Sequence, residues 1–275
     1  MSRFLFREQR AVSDTLSTII LGIIEGITEF LPVSSTGHLL IAEQWLGERS
    51  ELFNVAIQAA AILAIVLIYW RRIVNLLTRL DDPASRDYLA KLVVAFLITS
   101  VGAFIATRLG WKLPTSALPV AWALLIGGIA ILIIERYVAT RPLATTVTWK
   151  VAIFVGACQI LAPVFPGTSR SAATIFAAML VGLTSRPAAT EFAFLVGIPT
   201  MFAATAYEFL KVRGHSAGED WPQLVIGFVV SGVVAFIAVK WLLRYVQTHR
   251  FTLFAWYRIA LGAALIAAVM TGAMR

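Results

Sequence analysis

The residues that could do chemistry fall in two stretches of an otherwise lipid-like chain. Gly22 to His38 holds Glu25, Glu29, Ser34, Ser35, Thr36 and His38; Gly156 to Ser171 holds Gln159, Thr168, Ser169, Arg170 and Ser171. Glu25 and Glu29 are four apart, so on a helix both carboxylates share a face. An ionised carboxylate in hydrocarbon costs on the order of 3 kcal/mol even on lenient scales, and two at this spacing repel. Either one stays protonated or a cation lies beside them. A hard divalent ion, Mg²⁺ or Ca²⁺, held by one or two carboxylates and phosphate oxygens fits the pair. Two solvated interfacial glutamates are the plainer alternative.

Pro32 ends the first helical run, and Ser34-Ser35-Thr36 supplies three hydroxyls that suit a helix N-cap. A helix start presented this way offers backbone N–H groups and a positive dipole end to an anion. A serine is a weak nucleophile until a base activates it, and His38 is suited to proton transfer near neutrality. In the second stretch Pro166-Gly-Thr-Ser-Arg-Ser171 sets one arginine among hydroxyls, mid-way along an apolar run. Arginine there needs an anion, and its planar fork matches phosphate, with Thr168, Ser169 and Ser171 as further donors. A structural ion pair of Arg170 with Glu25 or Glu29 is the competing reading. His215 and His249 read as exposed loop residues, and Glu43 and Glu135-Arg136 as charges at span edges. The glycines 22, 26, 127, 128 and 156 read as aids to close helix packing. Cys158 is the single cysteine, which excludes an intrachain disulfide.

The elements that must position these residues are membrane helices. Apolar residues make up 59% and charged residues 14% of the 275-residue chain, against about 25% charged in soluble domains. Six stretches are long and apolar enough to span a bilayer: 55–70, 92–107, 119–135, 192–210, 224–243 and 253–272. Tyr69 and Trp70 read as interfacial anchors. The net charge of +8 does not point to nucleic acid, because Lys and Arg are scattered between spans rather than gathered on one face. Arg3, Arg7 and Arg10 ahead of an apolar run resemble a secretory leader, but Glu25 and Glu29 interrupt that run and no small-residue cleavage site follows.

The positive-inside rule puts the loops 71–91, 136–150 and 244–250, with ten basic residues, in the cytoplasm; the loops 108–118 and 211–222 carry four. Spans 55–70 and 192–210 then run in opposite directions although each follows a polar stretch. An ungapped overlay sets Gly22 on Gly156, Glu25 on Gln159, Pro32 on Pro166, Ser34 on Thr168, Ser35 on Ser169 and Thr36 on Arg170. A weaker match sets Phe53–Gln58 on Thr190–Leu195, with Asn54, Gln58 and Glu191 as outlying polar groups. The expectation is an all-α integral membrane protein, one membrane domain over 1–275, built as an inverted-topology repeat of 14–136 and 137–275. It has six full transmembrane helices and two re-entrant helical hairpins, 22–38 and 156–174, whose tips meet; broken helices are tolerated at that depth only where protein buries them or water reaches them.

Glu25-Gly-Ile-Thr-Glu-Phe-Leu-Pro-Val-Ser-Ser-Thr-Gly-His38 and Pro166-Gly-Thr-Ser-Arg-Ser-Ala-Ala-Thr174 resemble the two signature motifs of the bacterial undecaprenyl-diphosphatase family, also called bacitracin-resistance proteins. The resemblance covers essentially the whole chain. It implies an inner-membrane phosphatase, its site facing the periplasm, that converts undecaprenyl diphosphate to the monophosphate carrier lipid needed for cell-wall synthesis. By that resemblance Glu25 and Glu29 serve metal binding or proton transfer, Ser35 is the nucleophile, His38 its acid/base partner and Arg170 the diphosphate clamp. Ser34, Thr36, Ser169, Ser171 and Thr174 support the substrate. The expected partners are the prenyl diphosphate lipid and the bilayer, with a homodimer as a further candidate. Two positions depart from the family pattern: Ala172 stands where glycine commonly follows Ser-Arg-Ser, and Asn54 where glutamate is often found. A phosphoseryl route and direct activation of water by His38 both remain open, and a transporter or flippase of an anionic prenyl-phosphate lipid is the rival reading.

Overall fold

A computed structural model describes residues 2–109, 116–212 and 219–272, with side chains from residue 14 onward apart from 107 and 212. Among the described residues the chain is all helix: α1 (Ser2–Thr28), α2 (Ser35–Leu46), α3 (Glu51–Thr78), α4 (Pro83–Arg108), α5 (Ala117–Val138), α6 (Trp149–Gln159), α7 (Leu161–Val164), α8 (Arg170–Leu180), α9 (Arg186–Val212), α10 (Trp221–Thr248) and α11 (Thr252–Met270). Six of these, α3, α4, α5, α9, α10 and α11, are long and apolar enough to cross a membrane, and each of the six spans read from the sequence falls on one. Side-chain oxygens start several of them: Ser50 accepts from the Phe53 N–H, Thr148 from Val151 and Asp220 from Gln223. Each satisfies a donor that a helix start leaves unpaired.

Several helices bring small residues to their contacts and turn large apolar ones outward. On α10, Gly227, Ser231, Ala235 and Val239 face inward, while Val225, Val229, Val233 and Ile237 are exposed, each set at a spacing of four. That arrangement suits a helix whose outer face meets lipid and whose inner face lets backbones approach closely. A Cβ on Gly26 would lie 2.7 Å from the Ser231 carbonyl oxygen, and one on Gly156 2.7 Å from that of Ala95. Through these contacts α1 packs on α10 and α6 packs on α4, while α5 pairs with α11 and α3 lies against α9 and α10. The core gathers around α3, α6, α8 and α9, with Ile62, Ile65, Ile175, Phe176, Phe192 and Val196 all buried.

The end of α5 and the starts of α9 and α11 share one face of the bundle. There Glu135 is 1% exposed; it binds Arg186 through Nε at 2.9 Å and through Nη2, and accepts the Phe251 N–H at 2.9 Å. Glu135 is therefore not the span-edge charge expected of it, because a partner 51 residues away takes it into the interior. On the same face Arg72, late in α3, reaches Glu191, early in α9, at 3.0 Å. Of the two expected interfacial anchors Trp70 is exposed but Tyr69 is buried, since neighbours on a helix point about 100° apart. His249 is exposed as expected. His215, with Arg213 and Lys112, lies outside the described residues.

Candidate active site

Each polar stretch breaks its helix and starts another at a serine. After Thr28 the chain turns tightly, with the Val33 N–H on the Leu31 carbonyl at 2.7 Å; Pro32 has no N–H to continue α1 and biases Leu31 away from helical geometry. Ser34 then caps α2 with φ 76°, its side chain accepting from the Gly37 N–H. In the second stretch Gly167, at φ 90°, makes the turn, where a Cβ would meet the Val120 carbonyl oxygen at 2.8 Å. Ser169 caps α8 with φ 68°, accepting from the Ala172 N–H. Ser34 and Ser169 are the only non-glycine residues with positive φ among those described. Such a conformation costs about 1–3 kcal/mol and persists where surroundings impose it, often at functional sites.

The two caps correct the register of the overlay. Ser34 corresponds in role to Ser169, and Ser35 to Arg170, each the first residue of its helix. The second turn is thus one residue longer than the first, which an ungapped overlay cannot accommodate.

The tips meet. The Ser171 hydroxyl, itself 3.0 Å from that of Ser169, donates to the Leu31 carbonyl at 3.1 Å. Arg170 Nη2 lies 3.4 Å from Glu29 Oε1, and the other Glu29 oxygen accepts a hydrogen bond from the Ser35 hydroxyl. Glu29 is nearly fully enclosed, its side chain 4% exposed, while Arg170 at 22% keeps an outlet. The other N–H groups of Arg170 meet no protein acceptor among the described residues. Glu25 is buried one turn back along α1, with Glu29 and Arg170 as charged neighbours, and its Oε2 has no hydrogen-bond partner among the described residues. A buried oxygen of this kind calls for an explanation. Glu25 and Glu29 are the residues that would hold the divalent ion expected there, although among the described residues no group of three or more His, Cys, Asp or Glu side chains gathers as a metal site.

Among the described contacts His38 does not bond Ser35. Its Nδ1 is 2.7 Å from the Ser34 carbonyl, which can only accept, so Nδ1 carries the proton. In the neutral ring Nε2 is then the acceptor, and the Tyr257 hydroxyl stands 2.6 Å from it. Ser35 therefore has Glu29, not His38, as its hydrogen-bond partner. Of the remaining hydroxyls Thr36 is exposed and free to meet a ligand. Thr168 donates to Phe165, and Thr174 to the carbonyls of Arg170 and Ser171, so both support the turn and first coil of α8. Ala172 fits buried behind the cap. Asn54 and Glu191 lie elsewhere in the fold, the first donating to Glu43 at 3.1 Å and the second bound to Arg72. Gln159, overlaid on Glu25, binds Thr99 and Thr200 instead of entering the cluster.

The profile described as bacitracin resistance protein BacA matches residues 18–264. The chain belongs to this family. Proteins named undecaprenyl-diphosphatase are similar along nearly their whole length. One from Rhizobium johnstonii is 62% identical over 261 residues, covering 94% of this chain and 98% of the relative. One from Rhizobium etli is 60% identical with the same coverage. One from Xanthomonas euvesicatoria is 55% identical over 257 residues, 93% of this chain and 97% of the relative.

In this BacA-family chain α11 contributes two residues that the sequence reading passed over. Tyr257 holds His38, and Arg258 reaches the backbone of both tips. The signal was available for Arg258, since a charge inside the run 253–272 is as conspicuous as Arg170 in its own run.

Proposed function

We propose that this chain is a membrane phosphatase that hydrolyses undecaprenyl diphosphate to undecaprenyl phosphate and inorganic phosphate, recycling the carrier lipid for cell-wall synthesis. The observation that carries the reading is the chain of contacts from Ser35 to Glu29 to Arg170, a nucleophile, a base and an anion clamp drawn from two separate stretches.

A diphosphate is strongly anionic, so its cleavage needs charge neutralisation and in-line placement above all. Arg170, with N–H groups to spare, takes the phosphate oxygens, and the starts of α2 and α8 add backbone dipoles. Thr36 is exposed and adds a further donor, while Ser34, Ser169 and Ser171 are buried and hold the two turns in place. Glu29 accepts the Ser35 proton as Oγ attacks the terminal phosphorus. The Ser35 O–P bond forms, the P–O–P bond to that phosphorus breaks, and the bridging oxygen leaves on undecaprenyl phosphate. Water then attacks the phosphoserine, Ser35 regains a proton, and phosphate departs. His38, with its Nδ1–H on the Ser34 carbonyl and its Nε2 against the Tyr257 hydroxyl, is the candidate for proton transfer to this water once Nε2 exchanges Tyr257 for it; its direct activation of water against the diphosphate is the alternative route. Mg²⁺ or Ca²⁺ at Glu25 and Glu29 would supply further positive charge to the phosphate oxygens.

The architecture is read as two repeats, 14–136 and 137–275, of opposite orientation, with α1–α2 and α6–α8 as re-entrant hairpins. In support, α1 packs on α10 as α6 does on α4, and α3 ends on the face where α9 begins. The basic loops on that face point to a bacterial inner membrane with the site toward the periplasm. The same repeat pattern favours a lipid transporter as the second reading. Phosphate release from undecaprenyl diphosphate in detergent, with and without chelator, decides between them. Wild type should be active and lose activity on chelation, and Arg170→Ala should be inactive; a wild type inert with every divalent ion tried would leave transport.

A further inference from the structure

We infer that Arg258 is a positioning residue: its guanidinium, lodged in the space Gly127 leaves open, ties the two turns together and so sets Ser35 against Arg170. The kinetic consequence rests on the phosphatase reading, whereas the tie itself does not.

Arg258 is 0% exposed, and among the described residues no carboxylate lies within ion-pair distance of it. Its partners are main-chain carbonyls. Nη1 donates to Pro32 at 3.2 Å, and Nη2 to Gly167 at 3.2 Å and to Ala123 at 3.0 Å, with Nε on Leu124 at 3.4 Å. Pro32 stands two residues before the Ser34 cap, and Gly167 two before the Ser169 cap. The single group thus holds equivalent points of both tips and fixes them to α5. Burying a charge without a counter-ion is unfavourable unless its donors are satisfied, and the four carbonyls provide that satisfaction in a planar fork that lysine's single ammonium cannot copy.

Gly127 is the clearance for this fork. A Cβ there would stand 2.2 Å from Nη2 and 2.9 Å from Cζ of Arg258, so an alanine must displace the guanidinium while leaving its charge in the protein. Because Ser35 and Arg170 begin the helices that follow the tied turns, moving either turn misplaces nucleophile against clamp, and a misplacement near 1 Å lowers turnover about 100-fold.

The test compares wild type, Gly127→Ala and Arg258→Lys in detergent by two measurements. Turnover of undecaprenyl diphosphate should fall about 100-fold in each variant, with KM changed by less than about threefold because Arg170 remains to bind the substrate. The double variant should lose no more than the worse single one, since both break one tie. Spin labels at Gln44→Cys and Leu161→Cys, both exposed, in a Cys158→Ser background, report the separation of the hairpins by double electron–electron resonance. The distance distribution should broaden or shift in both variants. An unchanged distribution, or turnover within about twofold of wild type, overturns the inference. If wild type releases no phosphate, the phosphatase reading fails and the distance distribution alone decides the tie. Should Arg258→Lys not fold, Gly127→Ala carries the test.

Discussion

Arg186–Glu135 and Arg170–Glu29 each pair a buried glutamate with a half-buried arginine, yet they are built differently. Glu135 has both oxygens on Arg186 and a third donor from the Phe251 backbone. Glu29 meets Arg170 by one contact at 3.4 Å, gives its second oxygen to a serine hydroxyl, and has Glu25 one turn away with an oxygen that no described residue satisfies. The first pair is closed in composition: its hydrogen bonds are made within the protein. The second is open, with donors unspent on Arg170 and an acceptor unspent on Glu25. Closed pairs hold helices together, and open ones leave room for a charged ligand.

This contrast is broken most sharply at Ser35. Ser35→Ala should lower phosphate release on the order of 10⁵-fold while leaving the protein folded, because among the described residues the hydroxyl's only protein partner is Glu29. A detergent-solubilised Ser35→Ala that turns over at the wild-type rate would remove the serine from the chemistry and leave the His38–water route. Next comes Arg170→Lys, expected to lose about 10³-fold, since an ammonium keeps the charge without the bidentate fork. Full activity in that variant would mean Arg170 is only a structural partner of Glu29, as closed as Arg186. Smaller again is Tyr257→Phe, which removes one hydrogen bond to His38 Nε2 and should slow turnover about 3- to 10-fold. A rate indistinguishable from wild type would show that His38 needs no partner at that nitrogen.

How much of this was legible in the residues differs from place to place. The six spans could be read because hydrocarbon tolerates so few charges that their edges mark themselves. Glu29, Ser35 and Arg170 could be read for the same reason, as polar groups in apolar runs. Which base Ser35 meets could not, because a hydroxyl between a glutamate six residues before and a histidine three after can turn either way. In the structure the Ser35 hydroxyl bonds Glu29, while His38 bonds the Ser34 carbonyl. The one-residue register error arose from the same turns, whose lengths differ while their caps agree. Glu135 was misread because a charge at a helix end looks solvated until the distant Arg186 is brought to it. Arg258 escaped because its partners are carbonyls, which every residue has and no side-chain pattern announces.

The closed pair supplies the finest test of the comparison. Removing one partner, as in Glu135→Ala, strands the Arg186 charge, and breaking a buried pair costs about 3–5 kcal/mol. Arg186 retains 21% exposure, so the lower figure applies and the thermal midpoint in detergent should fall on the order of 10 °C. The rate per folded molecule should stay within about twofold of wild type, because no group of the site is touched. Replacing both partners by methionine removes the charges together, and an apolar pair of similar volume is often as stable as the ion pair it replaces. Glu135→Met with Arg186→Met should therefore recover most of the lost midpoint and keep turnover. The same exchange at Glu29 and Arg170 should also leave a folded protein but one without phosphatase activity. If instead the Glu135 and Arg186 exchange abolishes turnover in a folded protein, the closed pair is coupled to the site through α5 and α9. The distinction drawn from unspent donors and acceptors would then be wrong.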